Sequence, residues 1–262
     1  MQPSLVDSHC HLHMLRGGAQ AAAQYIDTAQ EQGIDHFLTV CVDVGQFPDL
    51  LRIVESDHRV TTSVGVHPCG QELALPDIEQ LVRLADHPRV IAIGETGLDY
   101  RCTEGPTHWQ HERFRHQVQA ARCARKPLII HTRDAASDTA RLLRAEDASA
   151  VGGIIHCFTD DRAAARSFLD LGFHISLSGI LTFRSADALR DVARYLPADR
   201  LMVETDCPYL TPAPYRGKQN EPAFVRRVAE CLAEVRGETL ERTAAYTTEN
   251  FHRLFPAAAL AE

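Results

Sequence analysis

Short apolar runs alternate with amphipathic stretches along the whole chain. The runs that read as strands are Leu5–Asp7, Phe37–Val42, Val60–Val64, Val90–Ile93, Leu128–Ile130, Gly153–Ile155, His174–Leu177 and Leu201–Val203. Each is β-branched or continuously apolar and is bounded by turn residues. Between them apolar positions recur at helical spacing. In Gln110–Arg125 the residues Phe114, Val118 and Ala121 share a face, and in Asp187–Tyr195 the residues Leu189 and Val192 do, with Leu196 just beyond. Two more helical stretches, Pro222–Val235 and Glu238–Leu254, follow the eighth strand. Strict alternation with near-continuous apolar strands predicts a parallel sheet covered by helices. Eight units in ~250 residues fit an α/β fold of the (β/α)8 TIM-barrel type better than an open, doubly wound sheet. No GxGxxG follows the first strand, so a dinucleotide site has no support. No linker, repeat or composition break interrupts the pattern, which gives one domain over residues 1–262.

In such a barrel chemistry sits where strands end, so the residues just past each run carry the functional signal. Strand 1 ends in Asp7-Ser8-His9-Cys10-His11, strand 3 in Gly65-Val66-His67-Pro68 and strand 4 in Gly94-Glu95-Thr96-Gly97-Leu98-Asp99. Strand 5 ends in His131, strand 6 in His156 and strand 8 in Glu204-Thr205-Asp206. Alone, each signal is weak. Among 14 histidines one His-x-His pair is expected by chance, a single histidine after a buried strand reads as a hydrogen-bonded core residue, and Asp206 suits the turn before Pro208. Convergence on one rim changes the reading. His9 and His11, two apart on extended chain, project to the same side. Four histidines with Glu95 and Asp206 are too many donors for one tetrahedral zinc. Two ions fit: His9, His11 and Asp206 on one, His131 and His156 on the other, with Glu95 bridging. A pair of cations ~3.5–4 Å apart acidifies water near neutral pH and neutralises charge during an in-line phosphoryl displacement. The mixed nitrogen and oxygen donors admit Zn, Mn or Mg without choosing among them.

Composition narrows this further. The net charge of −8 argues against a broad basic surface gripping many phosphates, though not against a small cationic site. Only Lys126 and Lys218 are lysines, which leaves little room for a Schiff base or a carbamylated bridging lysine. Eight cysteines stand singly without CxxC spacing and read as reduced thiols, mostly small buried hydrophobes. No leader-like segment precedes Leu5 and no apolar stretch approaches the ~18 residues of a membrane span, so a cytoplasmic protein with no membrane partner is expected. Oligomeric state is left open.

Taken together, the segments VDSHCHL (Val6–Leu12), GVHP (Gly65–Pro68), IGETGLDY (Ile93–Tyr100), PLIIHTR (Pro127–Arg133), HCFT (His156–Thr159), SGILTF (Ser178–Phe183), VETDCPYL (Val203–Leu210), RGKQNEP (Arg216–Pro222) and TENF (Thr248–Phe251) resemble the TatD-like metal-dependent DNases of the amidohydrolase superfamily. The resemblance spans nearly the whole chain and is nearest to the YcfH-type branch. It implies metal ligands at His9, His11, Glu95, His131, His156 and Asp206, with Glu95 and Asp206 carrying the catalysis. It implies hydrolysis of phosphodiester bonds in DNA, exonucleolytic from a 3′ end, with RNA as a further nucleic-acid partner. Asp206 is then the general base, His67, Arg101 and Arg133 hold non-bridging oxygens, and Arg216 and Lys218 meet a neighbouring phosphate. Glu204 would orient a ligand, and Tyr209 or Trp109 would stack a base. Two departures from the family pattern stand out: His13 where an acidic residue is usual, and Tyr215 where histidine precedes the RGK segment. An ester, lactone or amide hydrolase on the same metals is the competing reading. A non-catalytic scaffold is a second, weakened by the complete ligand set.

Overall fold

The computed structural model describes residues 3–74, 76–103, 105 and 107–259. Its eight strands are β1 (Leu5–Cys10), β2 (Ile34–Thr39), β3 (Val60–Val64), β4 (Val90–Asp99), β5 (Leu128–Arg133), β6 (Gly153–Ile155), β7 (His174–Leu177) and β8 (Leu201–Val203). They form one sheet in sequence order, every recorded pairing parallel. The sheet closes where β8 meets β1: Asp206 N–H donates to the His9 carbonyl and His11 N–H to the Cys207 carbonyl, each at 2.9 Å. The Ser8 hydroxyl donates to the Val203 carbonyl beside them. This is the (β/α)8 TIM barrel that the alternation predicts.

Helices α1 (Ala22–Gln30), α2 (Phe47–Ser56), α3 (Ile78–Ala85), α4 (His108–Ala124), α5 (Ala136–Ala145), α6 (Arg162–Leu169), α7 (Asp187–Tyr195), α8 (Val225–Arg236) and α9 (Leu240–Leu254) surround the barrel. The predicted apolar faces are buried as expected, with Phe114, Val118 and Ala121 of α4 fully covered. Helix α4 ends at Ala124 because Arg125 turns left-handed (φ 53). Helix α9 starts at Leu240, after Thr239 caps the Arg242 N–H. The barrel interior is packed with Val6, Leu38, Val40, Ile91, Ile129, Ile154 and Met202, and Phe251 and Phe255 close its floor. The lower half is therefore a solid core, and only the upper rim is free for polar side chains. Among the described residues no helix is long and apolar enough to cross a membrane.

Strands β1 and β5 each run three residues beyond their predicted ends, to Cys10 and Arg133, and three further expectations need correction. Strand β2 runs over Ile34–Thr39 and not Phe37–Val42, because Ile34 pairs with Leu5 while the chain leaves the ladder after Thr39, opposite Cys10. Strand β4 continues past Ile93 to Asp99: pairing with β5 breaks between Ile93 and Thr96 and then resumes, ending with Asp99 opposite Arg133. The cysteines are not all thiols. Cys69 and Cys102 form a disulfide, their Cα atoms 5.7 Å apart. They are 33 residues apart in sequence, but β3 and β4 are neighbours, so the turns after them meet on the rim. The remaining six cysteines are free.

The barrel floor holds a buried histidine with a consequence for stability. His36 of β2 bonds the Thr61 hydroxyl at 2.9 Å, and burial, reinforced by His252 and Arg89, pushes its pKa down to about 3. In the unfolded chain the same group titrates near ~6.5. Below that pH the unfolded chain binds a proton that the folded protein refuses, so the contribution is present at neutral pH and declines on acidification. At ~1.4 kcal/mol per pH unit, about 2 kcal/mol is lost by pH 5. Urea unfolding of His36→Gln should show a smaller drop in stability between pH 7 and pH 5 than the parent. An unchanged pH slope would contradict the assignment.

Candidate metal centre

The upper rim gathers its polar groups from six strands. His9 and His11 leave the end of β1 on the same side, while Cys10 between them turns outward and is buried against the Leu38 carbonyl. Glu95 lies in the register break of β4, its N–H held by the Cys41 carbonyl at 2.7 Å. The glycine at position 97 is required: a Cβ there would stand 1.9 Å from the His131 carbonyl oxygen, and only glycine lets β4 pass so close to β5. His131 is on β5 and His156 just past β6, its N–H donating to the Ile130 carbonyl. Asp206 follows β8 in a left-handed turn (φ 57), a conformation aspartate tolerates better than most residues.

The other five side chains meet around the carboxylate of Glu95, each of whose oxygens faces a different group. Oε2 lies 3.3 Å from His9 Nε2 and 3.9 Å from His11 Nε2. Those two nitrogens are 3.3 Å apart, and Asp206 Oδ1 is 3.4 Å from His11 and 3.8 Å from His9. Oε1 lies 2.8 Å from His156 Nε2 and 3.0 Å from His131 Nδ1, which are 3.2 Å from each other. His67 Nε2 joins this second group at 3.2 Å from Oε1.

Electrostatics fit a cation at each group. Burial alone would push Glu95 up, but the imidazoles of His156, His67, His9 and His131 override it and hold the carboxyl well below the usual range. Asp206 is lowered too, its burial outweighed by His11, His9 and His156. His156 is raised well above an ordinary histidine, because Glu95 and Glu204 overcome its desolvation, whereas burial and His156 itself lower His9. Buried ionised carboxylates among histidine nitrogens are a donor set for divalent metal, whose binding displaces the imidazole protons. A tetrahedral ion with ~2.0–2.1 Å bonds keeps its ligand atoms about 3.3 Å apart. The spacings in the His9–His11–Asp206 group, 3.3 to 3.8 Å, agree with that edge length. The His131–His156–Glu95 group is tighter, at 2.8 to 3.2 Å, so the residues present fit a divalent metal most closely on the His9–His11–Asp206 side.

Buried partners aim these side chains. His11 Nδ1 bonds the Val40 carbonyl at 3.0 Å. His156 Nδ1 bonds Glu204 at 3.3 Å, and the Ser176 hydroxyl holds the other oxygen of that carboxylate. Asp99, to which sequence reasoning gave no role, accepts from His131 Nε2 at 2.9 Å and so turns Nδ1 toward Glu95. The signal was period two along an extended β4: Glu95, Gly97 and Asp99 share a face. Asp7 was also missed. Its oxygens take the Thr205 N–H at 2.8 Å and hydroxyl at 2.6 Å, bracing β1 against the turn that carries Asp206. Outer partners of metal-bound histidines are typically worth ~10–100-fold in metal affinity. Asp99→Asn should weaken retention of one metal equivalent by that order, measured by competition with a chelator, while the other equivalent is unaffected. Equal affinities for both would contradict the role.

The centre opens into a cavity of about 700 Å³ lined by, among others, His67, Arg133, Thr159, Ile180 and Tyr209. Tyr209 is 56% exposed there and meets the His11 ring edge-on, which makes it the accessible aromatic of the mouth. The other expected contacts lie elsewhere. Arg101 points to solvent and pairs with Asp134 at 2.8 Å. Arg216 stacks on Phe183 at 4.0 Å and donates to the Thr211 carbonyl, lining a smaller neighbouring hollow. Lys218 lies 5.9 Å from the Tyr215 ring, and Trp109 packs under Arg113. Tyr215 stacks on Phe224 at 4.4 Å. His13 bonds Gln46 at 3.1 Å, and burial beside His11 pushes its pKa down to about 4. It stands against His11, their ring centroids 6.1 Å apart.

A cluster of this kind on the C-terminal rim of a (β/α)8 barrel defines a metal-dependent hydrolase. Residues 6–256 match the family model described as TatD related DNase, and the chain belongs to that family. The metal-dependent hydrolase YcfH of Escherichia coli K12 is 47% identical over 253 residues, spanning 96% of this chain and 95% of its own. The 3′-5′ ssDNA/RNA exonuclease TatD of a Rahnella strain is 37% identical over 200 residues, 74% of this chain and 76% of its own. The crystal structure of YjjV, a TatD homolog from Escherichia coli K12, superposes with a TM-score of 0.90 at 26% identity, covering 98% of this chain and 99% of that one.

Proposed function

We propose that this protein is a two-metal phosphodiesterase that shortens single-stranded DNA, and RNA as a second substrate, from the 3′ end. The observation that carries the reading is the division of labour at Glu95, whose two oxygens face two separate donor groups. His9, His11 and Asp206 would hold one ion, His131 and His156 the other, and Glu95 would bridge them. When bound, such ions acidify water and neutralise charge developing on a phosphoryl oxygen.

The chain's own residues supply the rest. Asp206 stays ionised beside the histidines, and with Oδ1 turned to His9 and His11 its Oδ2 is left to accept a proton from attacking water, the role of a general base. Arg133 is the arginine lining the cavity, placed to meet a phosphate of the strand. Tyr209 offers its exposed ring to a terminal base. A pocket this open, with one arginine and one aromatic, suits a flexible single strand better than a duplex, which needs an extended basic track. Polarity and the nucleic-acid substrate rest on the exonuclease activity named for the Rahnella relative.

The test is a substrate panel on metal-reconstituted protein: bis(p-nitrophenyl) phosphate beside p-nitrophenyl esters and lactones. The reading expects turnover of the phosphodiester well above the carboxylic esters, abolished by EDTA. Cleavage of esters or lactones without phosphodiester turnover would move the assignment to a different hydrolase on the same centre.

A further inference from the structure

We propose that the Cys69–Cys102 disulfide positions the metal centre, and that its reduction loosens the ion held on the His131 side; the inference rests on the two-ion reading above. Cys69 stands two residues after His67, and Cys102 three after Asp99. The backbone of each cysteine is bonded to the side chain it follows. Cys69 N–H donates to His67 Nδ1 at 3.0 Å, which turns Nε2 toward Glu95 Oε1 at 3.2 Å. Cys102 N–H at 3.1 Å and Arg101 N–H at 2.8 Å donate to Asp99 Oδ1, leaving Oδ2 to hold His131 at 2.9 Å. One covalent bond thus ties together the two turns that aim His67 and His131, and both imidazoles act on the same oxygen of Glu95.

The two turns are held unequally by other contacts. Arg113 fastens the turn of Cys69 from beneath, donating to the carbonyls of His67, Gly70 and Leu73. In the other turn Gln110 clamps Asp99 itself, accepting its N–H at 2.9 Å and donating to its carbonyl at 2.8 Å, whereas beyond Asp99 the described residues are held by the exposed Arg101–Asp134 pair and by the Gln110 bond to the Thr103 hydroxyl at 2.6 Å. Losing the disulfide therefore frees the Arg101–Cys102 end of this turn first, and with it the N–H groups that fix Asp99 Oδ1. The His9–His11–Asp206 group keeps its own braces, Val40 and the Asp7–Thr205 bonds, and is insulated from the change.

Cys102 is exposed and Cys69 half-buried, so a dithiol reaches the bond. The dithiol attacks the Cys102 sulfur as a thiolate and the Cys69 sulfur leaves. The second thiol of the reductant then displaces Cys102 and closes its own disulfide. Two electrons and two protons pass to the cysteines, leaving two thiols beside Asp99. This makes the oxidation state of a rim disulfide a control on how many ions the centre retains.

The test reads metal retention without substrate. Co²⁺ is titrated against a competing chelator, its visible absorption followed, in four samples: oxidised protein, protein reduced with dithiothreitol and desalted, reduced protein reoxidised with diamide, and the Cys69→Ser/Cys102→Ser double variant. We expect one of two equivalents to bind about ten-fold more weakly in the reduced protein and in the double variant. The other equivalent should be unchanged, reoxidation should restore the wild type, and far-UV circular dichroism should be identical throughout. Cys123→Ser, which removes an exposed free thiol, should leave the redox response intact. Two equivalents with the same affinity in every redox state would overturn the inference. So would a sulfur-to-cobalt charge-transfer band in the reduced protein, because the thiols and Asp99, whose donor atoms lie within 4.8 Å of one another, would then be taking the ion themselves. A single equivalent in every state removes the two-ion reading itself. The redox response without any DNA cleavage removes the nuclease reading and leaves this one standing.

Discussion

Glu95→Ala is expected to lose at least one metal equivalent and to lower phosphodiester turnover by on the order of 10³-fold or more. The residue is 2% exposed, and its carboxylate lies within 2.8 to 3.9 Å of five imidazoles, so no other side chain can replace it. Alanine removes the anion that faces both donor groups and leaves His67, His131 and His156 to repel one another when charged. Metal analysis after gel filtration, together with turnover at saturating Mn²⁺, checks the expectation. A variant holding two equivalents and turning over at the parental rate would show that Glu95 bridges nothing.

Asp206→Asn should behave differently. Asparagine is close to isosteric and can still offer an oxygen to His11, but it cannot take a proton. General-base catalysis contributes typically ~10²–10⁴-fold, so turnover should fall by that order while KM changes only a few-fold. The carboxylate is the more accessible of the two acids, its side chain 14% exposed against 3% for Glu95, as a group that meets water must be. Steady-state kinetics at matched metal content separate the cases. A rise in KM with kcat unchanged would recast Asp206 as a substrate-holding residue.

The barrel was legible in the chain because its strands are buried on both faces and its helices on one, which leaves nearly continuous apolar runs separated by amphipathic stretches. Rim residues could be singled out only by their convergence: a lone histidine after an apolar run, as at His131 or His156, reads as a core residue until several strands end in the same way. What escaped depended on pairing between segments. Strand β4 does not look like a strand beyond Ile93, since Gly94 and Gly97 break the apolar pattern. Those glycines are there because β5 runs too close for a side chain, and without that knowledge Asp99 reads as a loop residue. The disulfide was hidden for a related reason. Neither Cys69 nor Cys102 has a cysteine nearby in sequence, and only the adjacency of β3 and β4 joins them. His67, at a strand end beside proline, suited either a phosphate contact or support of a metal ligand, and the structure puts its Nε2 against Glu95, inside the donor cluster. Long flexible cations were the least legible. Arg101, Arg216 and Lys218 follow the right motifs, but each finds a local partner, Asp134, Phe183 or Tyr215, that sequence order does not reveal.

The most direct test of the central claim is cleavage of single-stranded DNA labelled at either the 3′ or the 5′ end by metal-reconstituted protein, beside an EDTA control and Glu95→Ala. The account predicts metal-dependent loss of the 3′ label as mononucleotide, a shrinking ladder from the 5′-labelled strand, and neither product in the two controls. Intact DNA under Zn²⁺, Mn²⁺ and Mg²⁺ alike, or shortening that persists in Glu95→Ala, would contradict it.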